Sequence, residues 1–351
     1  MNTSLIAFAV GLIASLGLTV PVRQLALRMG MVDHPGPRKV HLQPIPLLGG
    51  LAIYFGVLIA LLVSMDGPAL LQVIGIYLGA TLVAVVGILD DRGLLHHQVK
   101  LFGAMPAAAV ILLLSGIRAQ VFSAYWPGTT AHWADTALTM VWVVGITASF
   151  SILDHMDGLC AGVAAMASLF FAIFAIESGQ LLVSTMAAAV LGAAAGFLRW
   201  NFKPAKIFMG DGGAMFLGFL MATLSLKLRP VMSGGHNAAW LIPLFVLGAT
   251  IFDTTLISIS RSRRGFIPFT TPGKDHTAHR LSNVFQSQRS AVLLMYTLGA
   301  AGGLLALAIS RLPARPAYAL AALSAVAVLA AVVALERAPY ERQTPKNRPA
   351  R

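Results

Sequence analysis

The acidic residues of this chain are few, and several of them interrupt apolar segments. Among 351 residues, 13 are Asp or Glu. Asp90 and Asp91 end the apolar run VAVVGILDD, and Asp211 lies in IFMGDGG before another apolar run. Asp154 and Asp157 stand three residues apart in SILDHMDGL. A carboxylate is costly in an apolar environment, so acids placed in this way are candidates for function. The alternative is that they are helix-end acids that water simply hydrates.

The composition indicates that these acids belong to a membrane protein. The chain is 57% hydrophobic and 11% charged, with a mean hydropathy of +0.79, which lies outside the range of soluble proteins. Because a bilayer core needs roughly 20 apolar residues per helix, the sequence predicts an all-α integral membrane fold with about eleven transmembrane helices. One membrane domain is predicted over 1–336, followed by a basic, disordered tail over 337–351. The predicted spans lie near 3–22, 48–65, 68–89, 101–115, 136–153, 158–176, 180–198, 212–227, 238–259, 290–310 and 315–336.

The basic residues predict the orientation of these helices. Twenty of the 25 Lys and Arg residues fall in one alternating set of segments between the spans. Since cytoplasmic loops carry the basic excess, the N-terminus is predicted outside and the C-terminus in the cytoplasm. A basic cytoplasmic face beside anionic headgroups explains the net charge of +12 without a nucleic-acid partner. The other five basic residues are Arg118, Lys227, Arg229, Arg311 and Arg315.

Seven aspartates fall on the predicted cytoplasmic side of the membrane. Carboxylate oxygens are ligands for hard ions, and the single cysteine, Cys160, excludes a multi-cysteine metal site and an intramolecular disulfide. The sequence therefore predicts a cation site in a cytoplasmic cleft, with Mg²⁺ favoured and Mn²⁺ as the alternative. Mg²⁺ usually arrives bound to substrate phosphates. The seven acids are Asp33, Asp90, Asp91, Asp154, Asp157, Asp211 and Asp275.

Glycines beside Asp211 indicate either an anion site or close helix packing. Gly210, Gly212 and Gly213 accompany the acid at a predicted helix N-terminus. Free N–H groups and the helix dipole favour an anion at such a position. The alternative is close packing of membrane helices through small residues. The presence of Asp211 among the glycines favours the anion site.

Histidines near the C-terminal third of the chain add a further candidate. His276 and His279 lie in the basic segment KDHTAHRL, which lacks the Glu of an HExxH zinc motif. Phosphate or sugar contacts are therefore favoured over zinc. Asp253 lies about eight residues, or roughly 12 Å by helical rise, inside its predicted span. An acid at that depth is a functional candidate by default.

Six motifs in order connect the chain with a known family. They are VDHPGPRKVHLQPIPLLGG, GILDDRG, ILDHMDGL, NFKPAKIFMGDGGAMFLG, IFD and PGKDHTAHRL. With them the chain resembles the polyprenyl-phosphate N-acetylhexosamine-1-phosphate transferases, and within them the bacterial branch that starts cell-envelope glycans on undecaprenyl phosphate. The resemblance covers nearly the whole chain and includes the topology of eleven spans with the N-terminus outside.

The resemblance implies an enzyme of the bacterial inner or plasma membrane. Its reaction would be the Mg²⁺-dependent transfer of a sugar 1-phosphate, such as N-acetylhexosamine 1-phosphate, from a UDP-sugar to polyprenyl phosphate. The products would be UMP and a polyprenyl-diphosphate-sugar, in the first membrane step of an envelope polysaccharide such as lipopolysaccharide or teichoic acid. The implied partners are undecaprenyl phosphate, a UDP-sugar such as UDP-GlcNAc and membrane lipid. A homodimer is compatible with the sequence.

The resemblance also implies roles for individual residues. Asp90, Asp91 and Asp211 would be metal ligands and catalytic groups, and His276 and His279 would be catalytic as well. Phe208 would stack on uracil, and the paired Asp154 and Asp157 would share one helical face if the helix continues through them. The implied substrate-binding residues are Arg38, Lys39, His41, Lys100, Ser151, Asp154, Asp157, Asn201, Phe208, Lys274 and Arg280.

The family has been described with Asp90's position as a base for the lipid phosphate, but chemistry argues for a different role. A phosphate monoester has a second pKa of about 6, so it is mostly dianionic at pH 7 and barely needs a base. Positioning and charge neutralisation carry most phosphoryl transfer. We therefore predict that Asp90 chiefly organises metal and phosphate.

Four positions depart from the family's pattern. Ala148 and Ser151 stand where asparagines are usual, His155 replaces Gly or Asn, and Ala278 removes one histidine from a cluster. The loss of two amides removes hydrogen-bonding groups from the nucleotide site, although Ser151 keeps a hydroxyl. An inactive homologue that binds the carrier lipid is therefore one alternative to the enzyme.

Two further alternatives stay open. The peptidoglycan-precursor branch moves a phospho-muramoyl-pentapeptide, and it carries a lysine where this chain has Leu94. A secondary transporter would also have many spans and buried acids, but transporters tend to show inverted repeats and acids at the membrane midplane. This chain shows no repeat, and its acids lie at one face.

Overall fold

The structure is a computed structural model that describes residues 2–35, 43–64, 70–95, 97–232, 238–267 and 273–340. Arg38, Lys39 and His41, predicted to bind substrate, lie outside the described residues. The helices are α1 (Asn2–Arg28), α2 (Gly49–Ser64), α3 (Leu70–Asp91), α4 (His97–Val99), α5 (Met105–Leu114), α6 (Thr129–Leu153), α7 (Leu159–Glu177), α8 (Leu181–Asn201), α9 (Gly210–Lys227), α10 (Leu241–Val246), α11 (Gly248–Arg263), α12 (Thr277–Phe285), α13 (Gln288–Arg311) and α14 (Ala314–Glu336).

Two short elements complete the helical part of the described chain. A π-helical turn, Lys100–Ala104, leads directly into α5, and a 3₁₀ turn, Ala238–Trp240, precedes α10. The helices α10 and α11 are bent by 74° where they join at Leu247. This bend separates the apolar start of the ninth predicted span from its polar end, which carries Asp253.

The all-α integral membrane fold is confirmed. Seven described helices are long and apolar enough to cross a membrane, or eight if the bent pair forms one span. α2 and the segment Lys100–Leu114 are apolar but shorter. One helix lies in each predicted span except the ninth, 238–259, which contains the two helices of the bent pair. The count of about eleven crossings and the orientation stay predictions.

Helix α9 lies at the centre of the bundle. Its sequence is apolar on every side between its two charged residues, and such a helix must be buried. All of its residues are buried except Asp211 in the first turn and Lys227 in the last. The helical rise separates these two charged residues by about 24 Å along the axis. Each end of α9 therefore presents one charged side chain to one end of the bundle.

Glycines allow α2 and α3 to approach α9 closely. A side chain at Gly50 of α2 would collide with the backbone of Gly213, and one at Gly87 of α3 would collide with the backbone at Gly212. Small residues permit this kind of contact between membrane helices. The packing alternative for the GDGG glycines is therefore supported at Gly212 and Gly213.

A two-stranded ribbon holds the segment before α9. Strands β1 (Val32–Asp33) and β2 (Ile45–Pro46) pair antiparallel, with Val32 opposite Pro46. The amide of Phe208 donates to the Pro46 carbonyl at 2.8 Å, and the amide of Gly49 donates to the Phe208 carbonyl at 2.9 Å. These bonds fix the position at which α9, and with it Asp211, begins.

The first residues of the predicted tail contact the membrane domain. The ring centroid of Tyr340 lies 3.9 Å from the guanidinium carbon of Arg280, which is a cation–π distance. Residues 341–351 lie outside the described part of the chain, and disorder there stays a prediction. Cys160 is fully buried, as expected of a small apolar residue on a helix.

Candidate active site

Three predicted aspartates meet around one lysine. Asp90 and Asp91 end α3, Asp211 begins α9, and Lys100 begins the π-helical turn. The Lys100 ammonium nitrogen lies 2.6 Å from Asp90 Oδ2 and also 2.6 Å from Asp211 Oδ2. We call Asp90, Asp91, Lys100 and Asp211 the carboxylate cluster. It joins residues that are far apart in sequence. This agrees with the prediction that these acids lie on one side of the membrane.

The carboxylate cluster fits a divalent cation. One ammonium already neutralises an oxygen of Asp90 and an oxygen of Asp211, so these two oxygens can share a single cation. Carboxylate oxygens suit hard ions such as Mg²⁺. The hydroxyl of Ser151 donates to the other oxygen of Asp211 at 2.8 Å and orients that carboxylate. Ser151 therefore contacts the cluster even though it stands where asparagine is usual.

Asp91 binds the first amides of α9. Its Oδ1 accepts from the amide of Asp211 at 3.0 Å, and its Oδ2 accepts from the amide of Gly212 at 3.4 Å. Gly210 has a φ of +76°, and a side chain there would collide with the Asp91 carboxylate. The prediction that a substrate anion binds these amides is wrong, because the Asp91 carboxylate already binds them. Asp91 thus positions Asp211.

The segment between α6 and α7 carries the paired acids. α6 ends at Leu153 and α7 begins at Leu159, so the helix does not continue through Asp154 and Asp157. The expectation of one shared helical face is therefore wrong. Burial, together with the negative charges of Asp211 and Asp91, raises the pKa of Asp154 well above its usual range. Asp154 thus lies within the electrostatic reach of the carboxylate cluster.

Asp157 and Asn201 fix the segment in place. Asp157 Oδ2 accepts from the amide of Ala205 at 3.1 Å. The buried Asn201 accepts from the amide of Gly158 at 3.0 Å and donates to the Ile207 carbonyl at 2.9 Å. Asn201 therefore connects two loops. Its side-chain oxygen and nitrogen bind within the protein, so the implied role in substrate binding is corrected to a structural one.

Three histidines from two separate segments pack against one another: His155 between α6 and α7, His276 just before α12, and His279 within α12. The ring centroid of His155 lies 4.0 Å from that of His276 and 4.7 Å from that of His279. We call these three residues the histidine cluster. Both ring nitrogens of His155 are buried and have no hydrogen-bond partner among the described residues. Burial and the neighbouring His276 lower the pKa of His279 to about 4, so that imidazole is neutral at pH 7.

Asp253 orients His276. Its Oδ2 lies 2.9 Å from His276 Nδ1, and its Oδ1 accepts from the amide of Thr277 at 2.7 Å. A guanidinium nitrogen of Arg261 lies 3.3 Å from His276 Nε2. The carboxylate and the guanidinium thus contact the two ring nitrogens of His276 from opposite sides. Asp253 therefore fixes the orientation of the His276 ring.

A second cation at the histidine cluster is disfavoured. His155, Asp253 and His276 offer three ligand atoms within 4.8 Å of one another. However, the Arg261 guanidinium already contacts Nε2 of His276, and its positive charge opposes a metal ion there. The local chemistry agrees with the sequence-based preference for phosphate or sugar over zinc.

Buried ion pairs support the loop that carries the histidines. Asp275 is buried and accepts from Arg261 at 2.7 and 3.0 Å and also from Arg264. Burial opposes ionisation of Asp275, but the two arginines outweigh it and lower its pKa to about 2. The loop before α12 is therefore anchored to the end of α11.

Arg280 is placed differently from its prediction. It is fully buried and donates to the Asp275 carbonyl, the Leu335 carbonyl, Glu336 and Ser260 at 2.7 to 2.9 Å. These contacts join α12 to α11 and α14. The implied substrate-binding role is corrected to a supporting one, since its donors are used within the protein.

The remaining predicted residues surround the two clusters. Lys274 and Phe208 are half-buried, and each makes contacts within the protein. Reasoning from sequence did not assign a role to Arg261 or His155, and it singled out Asp253 without giving it a partner. The charge of Arg261 at the end of a span was a possible signal, whereas the contact of His155 with a distant loop left no signal in the sequence.

Comparisons with known proteins agree with this geometry. Residues 73–229 match the profile of Glycosyl transferase family 4. A Bacillus subtilis protein named probable undecaprenyl-phosphate N-acetylglucosaminyl 1-phosphate transferase is 36% identical over 302 residues, covering 84% of this chain and 81% of that protein. A decaprenyl-phosphate N-acetylglucosaminephosphotransferase of Mycolicibacterium smegmatis is 33% identical over 305 residues, covering 78% and 74%. A phospho-N-acetylmuramoyl-pentapeptide-transferase of Bacillus thuringiensis is 30% identical over 246 residues, covering 65% and 71%.

Proposed function

The chain belongs to the polyprenyl-phosphate N-acetylhexosamine-1-phosphate transferases of glycosyl transferase family 4, and we propose that it moves N-acetylglucosamine 1-phosphate from UDP-N-acetylglucosamine to undecaprenyl phosphate. In the net reaction, an oxygen of the lipid phosphate bonds to the sugar-linked phosphorus. The bond from that phosphorus to the UMP oxygen breaks, and UMP leaves. The observation that carries the proposal is the shared contact of Asp90 and Asp211 with one ammonium.

Asp90 and Asp211 would hold the Mg²⁺. When bound, Mg²⁺ supplies positive charge that neutralises the diphosphate of the donor. Asp91 keeps the start of α9 in place through two amides, so that Asp211 faces Asp90. Lys100 lies against both carboxylates and would supply a positive charge for the reacting phosphates. Positioning and charge neutralisation of this kind carry most of phosphoryl transfer.

The histidine cluster would contact the sugar or the phosphates. Asp253 holds His276 through its Nδ1, and His279 is neutral at pH 7. Neutral imidazoles bind sugar hydroxyls as donor or acceptor. The segment between α6 and α7 links this cluster to the carboxylate cluster, because Asp154 and His155 are consecutive residues.

The expected location follows from the charge distribution. The carboxylate cluster would face the cytoplasm, where UDP-sugars are made, and the protein would lie in the bacterial plasma or inner membrane. The product would then enter the synthesis of a cell-envelope polysaccharide. The multi-pass membrane character supports this location.

The experiment that tests the proposal is UMP release by the purified full-length protein. The assay contains undecaprenyl phosphate and Mg²⁺, with UDP-N-acetylglucosamine, UDP-N-acetylgalactosamine or UDP-muramoyl-pentapeptide as the donor. We expect release with an N-acetylhexosamine donor that needs lipid and Mg²⁺, stops with EDTA and returns with Mg²⁺ or Mn²⁺. Asp211→Asn should abolish it, whereas the exposed variant Glu177→Gln should not.

Other outcomes would identify the alternatives. Release with the pentapeptide donor alone would place the protein with the peptidoglycan-precursor enzymes, to which the Bacillus thuringiensis relative belongs by name. No release with any donor, in protein that still binds the lipid, would contradict the enzyme and favour a carrier-lipid-binding homologue. In that case Ala148→Asn and Ser151→Asn would be the first variants to test.

A further inference from the structure

The end of the bundle opposite the carboxylate cluster carries a second concentration of charge. Lys227 ends α9 about 24 Å from Asp211 by helical rise. Arg118 follows α5, and Arg229 follows α9, at this same end. All three residues line one cavity of about 400 Å³, together with Gln120 and Gln180. Three of the five basic residues outside the predicted cytoplasmic segments therefore share this cavity.

One of these cationic groups has no partner among the described residues. The Lys227 ammonium makes no hydrogen bond or ion pair there. The Arg118 guanidinium contacts the ring of His132 at 2.6 Å, and only its buried Nε lacks an acceptor. The described acids at this end are engaged elsewhere. Asp135 accepts from the amides of residues 121–123, and Glu177 pairs with Arg311. The described residues that line the cavity therefore include three basic side chains and no acidic one.

Arg229 is held rigidly in the wall of the cavity. Its guanidinium donates to Gln120 Oε1 at 3.0 Å and to the carbonyls of Leu226 and Leu228 at 2.6 and 3.0 Å. The side-chain amide of Gln180 donates to the Arg229 carbonyl at 2.7 Å and accepts from its amide at 3.0 Å. A charge that is fixed in this way loses little conformational entropy when a ligand binds.

An apolar chamber adjoins the basic cavity. Its volume is about 720 Å³, and Trp142, Trp240 and Leu138 are among the residues that line it. Gln120 and Arg229 line both spaces. The indole N–H groups of Trp142 and Trp240 donate to Ser225 and Tyr125, so their apolar faces remain for a ligand. Tryptophans of this kind are typical of the interface between lipid tails and headgroups.

The geometry points to a binding site for an anionic phospholipid at this end of the protein. The phosphate would contact Lys227 and lie near the positive charges of Arg118 and Arg229, and an acyl chain would enter the chamber lined by Trp142 and Trp240. A positive cavity beside an apolar one, with Gln120 and Arg229 in the walls of both, matches a ligand with an anionic head and an apolar tail. A zwitterionic lipid would bring its own cation toward three basic residues, so it fits less well. The site is distinct from the carboxylate cluster and does not depend on the transferase reaction.

Native mass spectrometry tests the site on the full-length protein. The protein is released from nanodiscs that contain equal amounts of phosphatidylglycerol and phosphatidylcholine, and the retained lipids are counted. We expect phosphatidylglycerol to be retained preferentially. Lys227→Gln should weaken its binding about fivefold, because one basic residue near a lipid surface contributes about that factor. Arg315→Gln, at the same end but outside the cavity, should have no effect.

The contrary results are equally clear. Equal retention of the two lipids, or the same effect for Lys227→Gln and Arg315→Gln, would overturn the proposal. If inorganic phosphate or glycerol 3-phosphate displaced phosphatidylglycerol at equal concentration, the site would bind free phosphate and the lipid would be excluded. Lys227→Arg keeps the positive charge and should keep the preference for phosphatidylglycerol. If it does, the weaker binding of Lys227→Gln results from the lost charge and not from a failure to fold. UMP release is not the readout, so failure of the transferase proposal would leave this test intact.

Discussion

Lys100 is the residue that holds the carboxylate cluster together. Without its ammonium, the carboxylates of Asp90 and Asp211 would face each other with no neutralising group of the protein between them. Like charges at such short range repel strongly in a partly buried site. In the absence of a bound metal, Lys100 is thus the cation of the site.

We expect Lys100→Met to lower the rate of UMP release at least about a hundredfold, the size of effect seen when a preorganised electrostatic group is removed. Lys100→Arg keeps the charge and should retain more of the rate. The measurement is kcat at saturating Mg²⁺ and both substrates. Equal losses in the two variants would mean that the shape of lysine, and not its charge, is what the reaction needs.

Asp90 is predicted to organise metal and phosphate, and its contact with Lys100 agrees with that role. The lipid phosphate is mostly dianionic at pH 7, because its second pKa is about 6. The rate of Asp90→Asn should therefore stay low at pH 6 and at pH 9 alike, and the Mg²⁺ concentration that gives half-maximal rate should rise. Recovery of the variant at pH 9 would support the opposite role, in which Asp90 is a base.

Among the individual residues, the charged residues that lie at the ends of apolar segments were predictable from sequence. Asp90, Asp211 and Lys100 meet as expected. Asn201 and Arg280 were not predictable, because a buried polar side chain that ties two loops together looks the same in sequence as one that binds a ligand. Only the three-dimensional partners of a polar group reveal how it is satisfied.

At the scale of elements, the loop before α12 depends on buried charge. Asp275 lies between Arg261 and Arg264 and is fully buried. Removal of one partner from a buried ion pair leaves the other charges uncompensated. This loop ends at His276 and leads into α12, which carries His279, so its anchoring determines where the histidine cluster lies.

We expect Asp275→Asn to lower the free energy of unfolding by about 3 kcal/mol, since the buried Arg261 and the half-buried Arg264 lose their carboxylate. The matched control is Glu177→Gln, which breaks the exposed pair with Arg311 and should change stability by less than about 1 kcal/mol. Thermal unfolding in detergent measures both. Similar shifts for the two variants would show that the buried pairs add nothing beyond an exposed one.

The ion pairs of Asp275 with Arg261 and Arg264 also make the free energy of unfolding depend on pH. The pKa of Asp275 is lowered from its ordinary value to about 2 in the folded protein. Its stabilisation is therefore complete above the pKa of the unfolded chain, near 4, and is lost as the pH falls toward 2. The Asp275→Asn variant should lack this part of the acid dependence.

Hydropathy predicted the end of α6, but the spacing of the acids after it suggested a continued helix. The predicted span over 136–153 ends at the observed end of α6, and the segment from Asp154 to Gly158 that follows is not helical. Spacing alone could not show this, because an Asp pair at i and i+3 also fits a helix. The local signal of a break in the sequence was the glycine at position 158, and in the structure Gly158 adopts a left-handed φ of +77°.

At the scale of the whole molecule, the central helix α9 has an acidic residue at one end of the bundle and a basic residue at the other. Asp211 and Lys227 are the residues of α9 that are not buried, and they lie at opposite ends of the bundle. The acidic end could be predicted, because motif order and charge asymmetry both indicated it. The basic end could not, because loops far apart in sequence form that cavity.

The contact of Tyr340 with Arg280 has a practical consequence for anyone who labels or shortens this protein. Arg280 is buried, and the tyrosine ring covers one face of its guanidinium. A fluorophore, affinity tag or protease site placed after Tyr340 leaves that cover intact. A cut made at Glu336, where α14 ends, removes the ring and opens the support of the histidine cluster to water. The useful limit for C-terminal engineering is therefore Tyr340, four residues beyond the last helix.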